Sequence, residues 1–250
     1  VEASVDPARD IQIINLELAL ADLAQIDKRL DRTRKAARTG APEAKLELEA
    51  LEKVRAVLDE GKLARQATLT EEEKSALAFL QLLTMKPTIY AANVAEDDLA
   101  TGNRYVEAVR QIAQEENAEV VVVSAQVEAE LMELEPEERA AFLASLGVKE
   151  GGLKSLIRAT YKLLGLQTYF TVGEKEARAW TIPVGTKAPQ AAGVIHSDFE
   201  RGFIRAETIG YEELVRAGSM KAAREKGLVR SEGKDYVVQE GDVMLFLTNV

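Results

Sequence analysis

Cysteine is absent from all 250 residues, which excludes disulfides and cysteine-ligated metal centres. That fits a reducing compartment, so a cytoplasmic protein is expected. Histidine occurs once, at His196, and Asp198 beside it falls short of the three or four protein ligands zinc normally takes. A triad of His196, Ser197 and Asp198 fails too, because neighbours in one loop rarely hold that geometry. Aromatic residues are scarce, at 5%, so Trp180 and Phe199 are expected to be spent in a core. No apolar run approaches the ~18 residues of a membrane-crossing helix, and no membrane partner is expected.

Excess positive charge is also missing. Thirty-two basic against 42 acidic residues leave a net −10, which argues against blanket nucleic-acid binding; DNA is not expected as a partner. The balance is uneven, −9 over residues 1–165 and −1 over 166–250. Within Arg216–Lys234 six bases stand against Glu225 and Glu232. Lys221, Arg224, Lys226 and Arg230 are the candidate RNA-phosphate contacts there, although a solvated helix face has the same composition.

What is present reads as three regions. Over about 8–84, Leu16, Ala19, Leu23, Ile26, Leu30, Thr33 and Ala37 recur at alternating three- and four-residue steps, a heptad seam. Thr39-Gly40-Ala41-Pro42 breaks the helix, and Leu48, Leu51, Val54 and Leu58 mark a second one. An antiparallel helical hairpin is expected, followed by a helix opening at Thr70 with Glu71, Glu72 and Glu73 in its first turn.

Over about 85–165 the pattern alternates. Pro87–Ala92 and Val120–Val123 are apolar runs without polar alternation, expected as strands buried on both faces. A helix over 104–116 joins them into a βαβ unit, and helices over 136–146 and 151–164 follow. Two parallel strands cannot make such a sheet alone, so the chain is expected to be part of a longer protein, with 1–7 a leftover of the same domain. Over 166–250, strands at Thr168–Val172, Ala179–Ile182, Phe203–Thr208, Tyr236–Val238 and Val243–Leu247 with one or two helices predict a small α+β domain of the β-grasp kind.

The chemistry is expected at the carboxyl ends of the two buried strands, where open α/β sheets bind ligands. The first ends in Asn93-Val94-Ala95-Glu96 and the second in Ser124-Ala125-Gln126. P-loop GTPases carry N-K-x-D and S-A at these two places. Here Val94 replaces the Lys and Glu96 the Asp, so selectivity for guanine should be lost, while Asn still suits the N6/N7 edge of adenine. Taken alone, Asn93 equally suits a turn cap, and Glu96–Asp98 a solvated acidic loop.

The runs INLELALADLAQIDKRL, KPTIYAANVAED, GLQTYFTVGEKEARAWTIPVGTKAPQAAGVIHSDFERGFIRAE and EGKDYVVQEGDVMLFLTNV resemble the YchF subfamily of Obg-like P-loop ATPases over essentially the whole chain. The resemblance implies a coiled-coil arm (8–84), the carboxyl-terminal part of a P-loop NTPase domain (85–165) and a TGS domain (166–250). It implies an ATPase binding ATP, GTP more weakly, with Mg²⁺, and docking on the ribosome or its RNA. Asn93 and Glu96 would form an N-x-x-E motif, Val94 would lie along the base, and Ser124, Ala125 and Gln126 would line it.

One departure matters. Neither Gly61-Lys62, followed by Leu63, nor Gly233-Lys234, followed by Asp235, is a phosphate-binding G-x-x-x-x-G-K-[ST] loop. No catalytic or metal-binding residue is therefore assigned, and these 250 residues by themselves are expected to be inactive. A non-catalytic RNA- or protein-binding module is the alternative. His196 is expected in a structural or RNA-facing loop of the last region.

Overall fold

The computed structural model describes residues 4–173 and 176–249, so Val1–Ala3 of the expected 1–7 segment, with Glu174, Lys175 and Val250, lie outside the described residues. The chain forms two compact units, one up to Ala159 and the other from Thr160.

In the first unit, helix α1 spans Pro7–Ala37 and opens on Asp6, whose carboxylate accepts the Arg9 N–H, with Pro7 in its first turn. At ~1.5 Å per residue its 31 residues reach roughly 46 Å. Helix α2 (Pro42–Asp59) runs back along it: Thr33 and Arg29 meet Glu47, while Asp27 meets Arg55, an antiparallel register. Ala19, Ile26, Leu30 and Thr33 are buried against Leu51, Val54 and Leu58. Two residues of α1 differ from expectation. Leu16 is half exposed, whereas Asp22, outside the repeat, is buried. Its carboxylate accepts hydrogen bonds from the Leu83 and Thr84 N–H groups and the Thr84 hydroxyl at 2.6–2.8 Å, the partners such burial requires. The hairpin itself ends at Asp59, and residues 60–85 fold back along it as short turns and helix α3 (Glu71–Leu77). Thr70 and Glu73 cap α3 reciprocally, as the acidic first turn suggests.

Strand β1 (Ile89–Asn93), helix α4 (Arg104–Glu115) and strand β2 (Glu119–Val123) form the expected parallel pair and crossover. Ile89 registers with Glu119 and Asn93 with Val123, so both strands end level at one edge. Neither is buried on both faces: Ala91 and Asn93 are exposed, and only Val121 of β2 is fully covered. An apolar cavity of about 430 Å³, lined by Ile11, Ile14, Tyr90, Ala92 and Val109 among others, lies on the uncovered side of β1.

Helix α5 (Ala125–Glu133) is not among the expected elements. Ser124 caps it and Val127 and Leu131 bury its inner face, but its two turns sit too close after β2 for the periodicity to stand out. Helices α6 (Pro136–Ser145) and α7 (Gly152–Leu163) follow as predicted. Gly152 lets α7 begin against β2, since a Cβ there would stand 2.8 Å from the Val123 Cα.

The second unit is a five-stranded mixed sheet of β3 (Leu166–Val172), β4 (Ala177–Pro183), β5 (Phe203–Gly210), β6 (Arg230–Glu232) and β7 (Asp242–Thr248), in the order β4-β3-β7-β5-β6. Only β3 and β7 pair in parallel. Helices α8 (Ala188–Ile195) and α9 (Ser197–Arg201) precede β5, with α10 (Tyr211–Ala217) and α11 (Met220–Glu225) after it, so four helices replace the one or two expected. The expected strand at Tyr236–Val238 is a single bridge from Val237 to Lys187, and Arg230–Glu232 supplies the fifth strand instead. Tyr169, Ile182, Ala206, Val238 and Met244 form the main core, against which Trp180 and Phe199 pack as anticipated. Buried Tyr169 gives its hydroxyl proton to the Ala191 carbonyl at 2.8 Å, fastening α8 to the sheet.

Candidate functional site

The level ends of β1 and β2 bring both sequence-predicted loops to one edge. Asn93 Oδ1 accepts the Ala125 N–H at 3.0 Å, tying the first loop to the start of α5. With that oxygen engaged, the Asn93 Nδ2 donors remain for a ligand. Ser124, only 1% exposed, turns its hydroxyl oxygen to the Val127 N–H at 3.5 Å and so serves the helix cap. Gln126 is exposed and donates to Glu130 at 3.1 Å. Val94 holds the Val123 carbonyl with its N–H at 2.8 Å, while its side chain packs partly against Leu99, Val127 and Leu131.

Glu96 opens a single 3-10 turn, Glu96–Asp98. Its half-buried carboxylate has no hydrogen bond or ion pair among the described residues. The loop it stands on is closed from behind. Asp98 Oδ2 accepts from Asn103 Nδ2 at 2.7 Å, and Asn103 Oδ1 caps α4 by accepting the Tyr105 and Val106 N–H groups at 3.0 and 3.1 Å. Asn103 standing before an amphipathic run is a capping signal legible in the sequence.

A second centre had no sequence signal. Glu116, at the end of α4, accepts Asn15 Nδ2 and Arg65 Nη2 at 2.7 Å each and the Tyr90 hydroxyl at 2.6 Å. The partners stand 101, 51 and 26 residues away in sequence, so no local pattern announces them. Burial, and then the Glu116 carboxylate, push the Tyr90 hydroxyl up to about 12. This cluster roots α1 and the segment after α2 beside the strand that ends at Asn93.

The basic stretch does not lie on one element. It crosses α10, α11, β6 and the turn beyond. Arg224 is bound to Glu207 at 2.7 Å, and Arg230 lies among Glu232, Asp242 and the Tyr236 hydroxyl. Lys221 and Lys226 have no such partners among the described residues. Outside this stretch, His196 sits exposed between α8 and α9, its Nδ1 accepting the Asp198 N–H at 3.2 Å, a helix-capping position. No group of three or more metal-ligating side chains occurs among the described residues, and no described helix is long and apolar enough to cross a membrane.

Comparison with known proteins accounts for the architecture. A family model named YchF-GTPase_C, described as a protein of unknown function (DUF933), matches residues 166–249. The chain is 52% identical over 252 positions to a protein of Bacillus subtilis (strain 168) named ribosome-binding ATPase YchF, covering 100% of this chain and 69% of the relative. A protein of the same name from Escherichia coli O157:H7 is 52% identical over 250 residues, with the same coverage. Among solved structures, the YchF GTPase of Schizosaccharomyces pombe superimposes with a TM-score of 0.85 at 36% identity, over 99% of this chain and 68% of that one. The chain belongs to the YchF family.

Proposed function

We propose that this chain carries the base-reading side of an adenine-nucleotide site, together with ribosome-docking surfaces, of an Obg-like ribosome-binding ATPase. The observation that carries the reading is the Asn93–Ala125 hydrogen bond. It joins the two loops that a P-loop NTPase uses for the base, and leaves the Asn93 amide donors and the Glu96 carboxylate unspent. Asn93 would hold the adenine N6/N7 edge, with backbone groups of Val94, Ser124 and Ala125 around it. Gln126, turned to Glu130, would stand at the rim. Glu96 would stand where a guanine-specific site needs its Asp, one methylene longer, and so relax the demand for guanine.

Phosphate binding, and the Mg²⁺ that accompanies a nucleoside triphosphate, would depend on groups these 250 residues do not contain, because neither Gly-Lys pair forms a P-loop. The hairpin of α1 and α2 fits the coiled-coil arm of that family and the unit from Thr160 its TGS domain, a β-grasp. Residues 85–165 belong on this reading to the nucleotide domain, and the location is the cytoplasm. Ribosomal RNA is the proposed docking partner, with Lys221 and Lys226 unpaired among the described residues and Arg224 and Arg230 held in ion pairs.

Titrating the isotope-labelled chain with adenosine, and following its amides by NMR, tests the base site. Shifts confined to 93–103 and 124–127 support it, and shifts elsewhere or none contradict it. The same preparation should release no phosphate from ATP.

A further inference from the structure

Among the described residues Glu96 has no side-chain partner, so its position follows the path of its backbone. Three things define that path. Leu99 is 9% exposed and packs with Val127 and Leu131, pinning the loop's inner side. Gly102 closes the loop with φ at +71°, a conformation that side chains rarely adopt, and its N–H returns to the Asp98 carbonyl at 2.7 Å. Between these, the Asp98 carboxylate takes the Asn103 Nδ2 hydrogen at 2.7 Å, while the other end of the same amide caps α4. One planar group thus connects a 12-residue helix to Asp98, two residues after Glu96.

We propose that Asn103, acting through Asp98, is a positioning residue for base selectivity. It fixes the turn that presents Glu96, and the preference for adenine over guanine depends on that fixation. The inference rests on the nucleotide-site reading above. The physical reason is that a longer carboxylate discriminates only if its backbone cannot shift to compensate. A shift of about 1 Å would let Glu96 reach where the shorter Asp of a guanine site reaches. A charge-assisted amide–carboxylate bond, stronger than a neutral one, opposes such a shift.

Two variants separate this role from the helix cap. Asn103→Ser retains a capping oxygen and removes the amide donor that reaches Asp98, leaving only a shorter hydroxyl. Asp98→Ala removes the acceptor and leaves the cap intact. Both should keep the Val106 amide protected from hydrogen exchange while the Leu99 and Gly102 amides exchange faster. Both should also lower the adenosine-to-guanosine affinity ratio of the labelled chain by roughly three- to tenfold, the scale of one such bond. The double variant should add nothing further.

The proposal is overturned if either variant leaves the affinity ratio unchanged, whether or not the loop exchanges faster. If the unsubstituted chain shows no adenosine response at residues 93–103, the nucleotide-site reading itself fails, and this inference with it. A response in the unsubstituted chain that the variants do not alter defeats the inference alone.

Discussion

Asn93 Oδ1 and the Ala125 N–H, 32 residues apart in sequence, are joined at 3.0 Å across the ends of two parallel strands. The bond engages one end of the amide in the protein and leaves the other for a ligand, and the two ends can be tested separately. Asn93→Asp keeps the acceptor and loses the donors, so it should melt near the parent temperature while losing the adenosine response. Asn93→Ala should lose both, with about 1 kcal/mol of stability, the usual net worth of a hydrogen bond. Thermal unfolding and nucleoside titration of the two variants check this.

The Glu116 cluster predicts a dependence on high pH. Tyr90 is held protonated up to about 12, above the ~10 of a free tyrosine. A raised pKa means the folded state retains a proton that the unfolded chain gives up. That contribution is fully present below pH ~10 and is lost as pH rises from there through about 12. Tyr90→Phe should cost about 1 kcal/mol near neutrality. It should also show a shallower decline over that window in urea unfolding, leaving the parts owed to Tyr236, which is likewise pushed up to about 12 by burial and Asp242, and to Tyr169, whose hydroxyl burial also pushes up. Glu116→Ala should be costlier, on the order of 3 kcal/mol, because it strands the largely buried Arg65 guanidinium.

The carboxyl-terminal cations divide into two kinds. Arg230→Glu would set a new carboxylate against Glu232, Asp242 and Glu213, and should lower the melting temperature before any question of RNA arises. Lys221→Glu with Lys226→Glu should leave melting unchanged and weaken co-sedimentation with ribosomes at low salt. If both lysines meet phosphates, the logarithmic salt slope should fall by roughly 1.5. An unchanged slope would move the docking surface elsewhere, with Lys28, Arg32 and Lys35 on the exposed side of α1 the next to reverse.

What was legible in the sequence was whatever repeats or abuts locally. The α1 and α2 seam, the Thr70 cap and the parallel strand pair all carry short-range patterns. Asn93 and Ser124 were found because both stand immediately after apolar runs. Buried polar side chains were not legible. Asp22 satisfies its carboxylate with groups 61 and 62 residues away, and neither end has an apolar period to mark it. Strand β6 escaped notice because three residues, Arg-Ser-Glu, pair along β5 by backbone hydrogen bonds without an apolar signature. Tyr236–Val238 looked like a strand because its aromatic and branched residues serve the core while its backbone makes only one bridge.

The claim that Glu96 reads the base is tested most directly by restoring the guanine-site pattern. Val94→Lys with Glu96→Asp recreates N-K-x-D on this backbone, and competitive binding of adenosine and guanosine to the double variant reports the outcome. The account predicts a preference moved toward guanosine, by roughly tenfold if the carboxylate gains the paired contact guanine offers. An unchanged ratio would show that Glu96 does not face the base, and would contradict the account.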